Sequence, residues 1–449
     1  MRPLLEDAAH RAANYLVRLP ERRVAPEPEA VRRLSELDVP LQEEPRDPHR
    51  VLAELDELVS PATMAMAGPR FFGFVIGGSL PAALAANWLA GAWDQNAGMY
   101  SVTPGVAHLE QVAIRWLTDL FALPAGVAAA FVTGATMANF TALAAARHAV
   151  LKRAGWNVEA DGLFGAPPVT VIVGDEVHIT VLKALGMLGL GRNRVVRVPV
   201  DAQGRMRASE LPRIQGPAIV CVQAGNVSSG AFDPIAEVCE RVRGTGAWVH
   251  VDGAFGLWAK VSPRYAHLAH GSELADSWSM DGHKWLNVPY DCGIALVRDG
   301  EALAAAMAIQ AAYIPAAERE RNPFDYTPEF SRRARGVEVW AALRALGRRG
   351  LADMIERNCS AAQRFAARLR AAGCDILNDV VLNQVLVSFG EPERTQRIIA
   401  AVQADGTCWA GGTVWQGRTA MRISVSSWAT TDADVDASVA AMLRARDAA

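Results

Sequence analysis

The chain has 449 residues, of which 51% are hydrophobic and 21% charged, with 45 Lys and Arg against 48 Asp and Glu. Such a balance excludes a disordered chain and the basic footprint of a nucleic-acid binder, and leaves a small molecule or a second copy as the expected partner. The length exceeds the usual single core, so one large domain with smaller pieces attached is expected.

The first elements are amphipathic helices over about residues 4 to 18 and 48 to 59, separated by a segment carrying Pro26, Pro28, Pro40, Pro45 and Pro48. Residues 1–68 therefore read as a helical arm that packs on the main body or on a partner subunit. The opening residues mix charges with apolar positions and lack a continuous apolar run, so a signal peptide is not expected. No stretch is long and apolar enough to span a bilayer. Cys221, Cys239, Cys292, Cys359, Cys374 and Cys408 form no CxxC pair, which argues against a zinc site or a disulfide framework, and no metal is expected. They read as buried thiols in a reducing compartment, and the expected location is cytoplasmic.

From Phe71 onward short β-branched runs alternate with helical patterns. Strands are expected at Ala129–Thr133, Val169–Val173, Arg194–Val200, Ala218–Gln223, Trp248–Asp252, Ala275–Ser279 and Gly293–Val297, with helices such as Met137–Arg153 and Asp233–Val242 between them. This alternation means an α/β domain, residues 69–332, with a mostly parallel seven-stranded sheet covered on both faces. Ligands of such sheets bind where loops leave the carboxyl ends of the strands. Residues 333–449 read as a small α+β domain: helices Val337–Arg349 and Ala352–Ala372, strand Val385–Phe389, helix Glu393–Asp405, strand Arg422–Val425 and a terminal helix.

Four of the segments that leave these strands carry chemistry. In FVTGATMAN (Phe131–Asn139) a strand gives way to Gly134, Ala135 and Thr136 at a helix start, where free N–H groups meet an anion or a threonine simply caps the helix. His178, just past a strand, can lie flat on an aromatic ring or be an ordinary hydrogen-bonded histidine. WVHVDGAFG (Trp248–Gly256) ends a strand on Asp252, a carboxylate suited to a protonated pyridine nitrogen or to capping a turn, with Ala254 small enough to admit a ring. MDGHKWLN (Met280–Asn287) holds Lys284 in apolar company, where an amine is expected to become a nucleophile that forms an imine, with His283 beside it. Further on, Tyr313 lies in a proline-bearing stretch suited to a general acid on a closing loop, or is a surface tyrosine. Arg422, at a strand start, suits a bidentate carboxylate pair, with substrate or within the fold.

The run DSWSMDGHKWLNVPYDCG (Asp276–Gly293) resembles the lysine signature of the group II pyridoxal phosphate-dependent amino acid decarboxylases, the family of aromatic-L-amino-acid decarboxylase. Further matches follow in order: PRFFGFV (Pro69–Val75), TP…LE (Thr103–Glu110), GATMAN (Gly134–Asn139), DEVH (Asp175–His178), HVDGAFG (His250–Gly256) and RISVSS (Arg422–Ser427). The resemblance covers nearly the whole chain. It implies the aspartate aminotransferase-like fold (fold type I), a homodimer whose amino-terminal arms swap, and a shared active site at the subunit interface.

On the same resemblance, the cofactor is pyridoxal 5'-phosphate and Lys284 is its Schiff-base lysine. Asp252 partners the pyridine nitrogen, His178 stacks on the ring and Ala254 contacts the opposite face. Ala135, Thr136 and His283 fall on phosphate-binding positions, and Asn226, beside Val227, lies in a loop near the cofactor. Tyr313 falls on the loop tyrosine that protonates the carbon left by carbon dioxide; phenylalanine is usual there in related aldehyde synthases. Phe74, Gly77 and Arg422 are the expected substrate contacts. The chain departs from the family's frequent hydroxyl-bearing residues at Gly77, Gly78, Ala135, Met137 and Val227. Backbone amides supply much of a phosphate grip, so these departures bear on the substrate more than on the cofactor.

The expected activity is that of a lyase of amino acid metabolism, decarboxylating an L-amino acid to its amine. Phe71, Phe72, Phe74, Trp93 and Tyr100 suggest an aromatic or bulky side chain. The alternatives are an aldehyde synthase, an aldolase-type lyase or an aminotransferase on the same fold, and an inactive binding protein.

Overall fold

The computed structural model describes residues 1–309 and 320–449. The chain forms two compact units, one of Met1–Ile76, Ala361–Leu377 and Val385–Ala449, the other of Gly77–Ser360 and Asn378–Gln384.

The second unit is built on seven strands: β1 (Ala128–Val132), β2 (Thr170–Gly174), β3 (Val196–Val198), β4 (Ala218–Gln223), β5 (Trp248–Asp252), β6 (Ser277–Asp281) and β7 (Gly293–Val297). Their order in the sheet is β1-β7-β6-β5-β4-β2-β3. β7 runs antiparallel to both β1 and β6, and the other neighbours pair in parallel. Strands β4 to β7 are buried along their whole length, as continuous apolar runs covered on both faces must be. The alanine-rich helix Ala135–Arg153 buries thirteen of its nineteen residues, because small side chains all round let it press against the sheet and its neighbours. Leu143, Leu151, Val173, Leu185, Ile219 and Trp248 are part of the core cluster that results.

This topology brings the carboxyl ends of β1, β2, β4, β5 and β6 to one edge. That is the edge from which the chemistry-bearing segments leave.

Strands β4, β5 and β7 fall where the sequence places them. Strand β6 begins two residues later than expected. Asp276 is spent on the lead-in, its carboxylate accepting from the Val249 N–H at 2.8 Å, and the ladder with β5 opens at His250 and Ser277. The strand consequently ends on Asp281 rather than on Ser279. The expected break near residue 350 is found inside a helical run Gly336–Ala371, at Gly347, which has φ 59°.

In the first unit, helices Arg2–Arg18, Pro28–Arg33 and Pro48–Glu54 bury no residue. Its sheet is ordered β10-β11-β9-β8, with β8 at Asp375–Ile376, β9 at Gln384–Ser388, β10 at Gly411–Trp415 and β11 at Arg418–Ser424. The sequence reading lacks β8, only two residues long, and β10, which opens on Gly411 and Gly412 and gives no β-branched signal. The PRFFGFV stretch joins this unit: the Phe72 N–H donates to Trp409 O at 2.8 Å and Phe71 stacks on Trp409 at 5.1 Å. Phe71 and Phe72 are core residues, 3% and 1% exposed, and so are removed from the aromatic lining expected around a substrate. All six cysteines are free and buried.

Candidate active site

One end of the site is built where β1 and β6 let go of the chain. After β1, Gly134 leads straight into the helix that starts at Ala135. The turn comes close because β7 opens on glycine: a Cβ at Gly293 would lie 2.4 Å from the Gly134 carbonyl carbon. The N–H of Ala135, which has no acceptor within the helix and lies at its positive end, donates to Asp281 Oδ1 at 2.5 Å.

His283 turns toward the same carboxylate. Its Nδ1 accepts from the Cys292 N–H at 3.0 Å, which places the neutral ring's proton on Nε2, 3.4 Å from Asp281 Oδ1. Burial pushes the His283 pKa down, with Asp281 opposing. Lys284 Nζ lies 3.0 Å from Asp281 Oδ2. The apolar company expected of Lys284 is present in Trp285 and Leu286, both fully buried, but the amine also has a carboxylate partner. Asp281 is the functional residue that the sequence reading passed over, although an acid three positions before the lysine in MDGHK was there to be read.

The other end is built on β5 and β2. Asp252 closes β5 and is 5% exposed. Its Oδ1 accepts from the Ala254 N–H at 3.2 Å and its Oδ2 from Asn139 Nδ2 at 3.4 Å. Both donors are neutral, and among the described residues no cation pairs with this carboxylate. His178 caps helix Ile179–Met187, its Nδ1 2.7 Å from Thr180 Oγ1. The two ends are tied together by Ala254, whose carbonyl accepts from the Asp281 N–H at 2.9 Å.

A model of the pyridoxal-dependent decarboxylase conserved domain matches residues 28–390. The chain belongs to this family. It is a pyridoxal phosphate-dependent carboxy-lyase of amino acids. Tryptophan decarboxylase 1 of Oryza sativa subsp. japonica is 28% identical over 416 residues, 84% of this chain and 80% of that protein. The aromatic-L-amino-acid decarboxylase of Bacillus atrophaeus is 29% identical over 338 residues, 73% and 68% respectively. The crystal structure of Oryza sativa TDC with PLP and tryptamine superposes with a TM-score of 0.91 at 23% identity, covering 100% of this chain and 97% of that one. Mouse CSAD gives 0.90 at 23% identity, covering 99% and 98%. These similarities in shape bear out the fold type I architecture.

The residues of this decarboxylase fit the cofactor. A buried carboxylate held only by neutral donors, Asp252, suits a pyridinium; a helix start whose first N–H already holds an anionic oxygen, that of Asp281, and which His283 flanks, suits a phosphate; Lys284 lies beside that start. Thr136, half-buried, occupies the same first helical turn. Asn226 is buried, and its Oδ1 closes its own turn by accepting from the Ser228 and Ser229 N–H groups at 2.8 and 3.2 Å. Its Nδ2 is therefore the atom available for a ligand.

Gly77 meets the lysine loop directly, since a Cβ there would lie 1.8 Å from the Lys284 carbonyl oxygen. The hydroxyl-bearing side chain often found at this point of the family has no room here. Phe74 and Arg422 belong to the first unit. Phe74 is 59% exposed at φ 54° and stacks on Trp409 at 5.5 Å. Arg422 has its pKa lowered by burial alone, and among the described residues no carboxylate pairs with it. Tyr313 lies outside the described residues.

Proposed function

We propose that this decarboxylase acts on an L-amino acid with an aromatic or other bulky side chain, with Lys284, Asp252, His178 and Tyr313 as its catalytic residues. The observation that carries the cofactor side of this reading is Lys284 Nζ 3.0 Å from Asp281, whose other oxygen holds the helix-start N–H of Ala135. When bound, the cofactor supplies an electron sink for the pair left behind by carbon dioxide.

The chain's own groups do the rest. Lys284 would hold the cofactor covalently through its amine. Ala135, Thr136 and His283 hold the phosphate, with Asn226 nearby. Asp252 keeps the ring nitrogen protonated, and His178 and Ala254 confine the ring faces. Arg422 takes the substrate carboxylate, supported by its lack of a carboxylate partner within its unit. Phe74 offers an exposed apolar face to the side chain, and Gly77 fixes the wall beside the lysine. Tyr313 delivers the final proton to carbon.

The aromatic preference is supported by relatives named for tryptophan and aromatic amino acids and by the exposed rings of Phe74 and Trp93. A homodimer is supported by the arm helix Arg2–Arg18, which buries nothing and exposes Leu5 and Val17, and by Trp88, Leu89 and Trp93 exposed on helix Pro81–Trp93. A cytoplasmic setting is supported by the six free buried thiols. No described helix is long and apolar enough to cross a membrane.

A second reading, aldehyde synthesis, is favoured by a relative named 4-hydroxyphenylacetaldehyde synthase, 26% identical over 338 residues. One assay separates them. Purified enzyme is screened against the proteinogenic and hydroxylated aromatic amino acids, reading carbon dioxide, amine and aldehyde. Amine from tryptophan, tyrosine or a hydroxylated analogue supports the proposal. Amine from acidic substrates alone overturns the aromatic preference, and aldehyde from wild type overturns the role of Tyr313. Tyr313→Phe is expected to divert product toward aldehyde, and Lys284→Ala to abolish the borohydride-reducible imine.

A further inference from the structure

Beneath Asp252 and His178 runs a chain of hydrogen bonds whose directions are set by its donors. The Trp248 indole N–H donates to Ser277 Oγ at 2.8 Å, leaving the Ser277 hydroxyl proton for His250 Nδ1, 2.9 Å away. Burial holds His250 neutral, with its pKa lowered to about 4. A neutral ring that accepts at Nδ1 carries its proton on Nε2. That Nε2–H donates to Asn139 Oδ1 at 2.8 Å, an oxygen that also accepts from Ser279 Oγ at 2.6 Å.

With its carbonyl engaged twice, Asn139 turns its amide nitrogen the other way. Nδ2 lies 3.4 Å from Asp252 Oδ2 and 3.3 Å from Thr180 Oγ1. Thr180 passes its hydroxyl proton to His178 Nδ1 at 2.7 Å, where its backbone N–H also points, at 3.4 Å. Every donor after Trp248 points the same way, and the chain divides at one fully buried amide.

We propose that Asn139, oriented by His250 and Ser279, is the positioning residue for both groups at the ring end: it aims Asp252 and, through Thr180, keeps the proton of His178 on Nε2. This rests on the reading of Asp252 and His178 as cofactor residues. It gives Asn139 a purpose that the GATMAN motif left open, and it ties the two partners of the ring to one side chain on the same helix whose first N–H faces the phosphate end.

The test compares wild type with Asn139→Ala, Asn139→Asp and Thr180→Val, and with Asp252→Asn and His178→Gln as controls. Ring ¹⁵N shifts of the cofactor-free protein read the His178 tautomer, titration with pyridoxal phosphate reads affinity, and steady-state kinetics of the holoenzyme separate kcat from KM. Thr180→Val is expected to give a mixed His178 tautomer with cofactor affinity unchanged. Asn139→Ala is expected to mix the tautomer, weaken cofactor binding about tenfold and lower kcat by about 10- to 100-fold with KM little altered, the usual size for a residue supporting a site's ligands.

Asn139→Asp keeps an oxygen for His250 but sets a second carboxylate against Asp252, and is expected to lose more affinity than Asn139→Ala. A merely structural asparagine would lower the melting temperature without touching the tautomer. Folded Asn139 variants with wild-type His178 shifts and wild-type affinity would overturn the proposal. If instead Asp252→Asn and His178→Gln leave cofactor affinity and the visible spectrum unchanged, the cofactor reading itself fails, and the tautomer measurement still decides what Asn139 does to His178.

Discussion

The backbone of Gly77 lies directly against the backbone of Lys284, so close that a Cβ on residue 77 would sit 1.8 Å from the lysine's carbonyl oxygen. Only the absence of a side chain permits this. Gly77→Ala must therefore push the lysine loop aside. Overpacking of this kind costs about 1–3 kcal/mol, and a shift of about 1 Å in a reacting group costs on the order of a hundredfold in rate. We expect Gly77→Ala to lose most imine absorbance and activity, whereas Gly105→Ala, with nothing within 4 Å of the new methyl, stays unaltered. A Gly77→Ala enzyme with the wild-type spectrum would refute the close approach.

Asp281 holds the Ala135 N–H with one oxygen and the Lys284 ammonium with the other. Removing it leaves an amine, 17% exposed in its side chain, without its partner. Breaking a buried pair from one side costs about 3–5 kcal/mol. Cofactor-free Asp281→Ala is expected to show a lower denaturation midpoint than cofactor-free wild type, with Lys284→Met in the Asp281→Ala background recovering part of the loss. An unchanged midpoint would mean that the pair contributes nothing.

Glu110, 1% exposed in its side chain, receives Arg332 Nη1 at 2.8 Å and Arg321 Nη1 at 3.2 Å. Arg332 also reaches the carbonyls of Ala97 and Phe131. Glu110→Ala would leave a fully buried guanidinium unpaired, at a cost of about 3–5 kcal/mol. The urea midpoint should drop sharply for Glu110→Ala and less for Glu110→Gln, which keeps an acceptor. Equal midpoints for Glu110→Ala and wild type would contradict this.

His250 supplies a pH dependence. Its folded pKa, about 4, lies below the ordinary 6.5, so the unfolded chain binds the extra proton first. The stabilisation is fully present above pH 6.5 and is lost as pH falls toward 4, by about 3 kcal/mol in all. Asp233, pushed up to about 6 by burial, works in the opposite direction, which makes the wild-type curve alone ambiguous. The difference between wild type and His250→Gln removes the Asp233 contribution, which both share. Measured by denaturant unfolding, the wild-type advantage should shrink from pH 7.5 to 4.5; a constant advantage would show that His250 is not held neutral by the fold.

Much of this was legible because the relevant signals are local. The apolar runs of β4, β5 and β7 show their bounds through composition, and Asp252 and Lys284 stand out as charges at the ends of such runs. Asp281 was hidden by a two-residue shift of β6, which depends on Asp276 being used by the Val249 N–H, a long-range bond that no local pattern reports. Asn139 and His250 were hidden for a related reason. Their meaning lies in bonds across 111 positions of sequence, and an asparagine inside an alanine-rich helix has no periodicity to betray it. Gly77 could be seen as a glycine, but not what it faces.

The antiparallel β7, set between β1 and β6 and opening on Gly293, has a further consequence. The helix-start turn hangs from β1 and the lysine loop from β6, strands two places apart in the sheet, and Asp281 at the end of β6 bridges them by holding the Ala135 N–H and the Lys284 amine. The approach of the helix start to the lysine is thus a dimension of the scaffold. A change of substrate preference along this lineage can be written elsewhere in the chain without redrawing it.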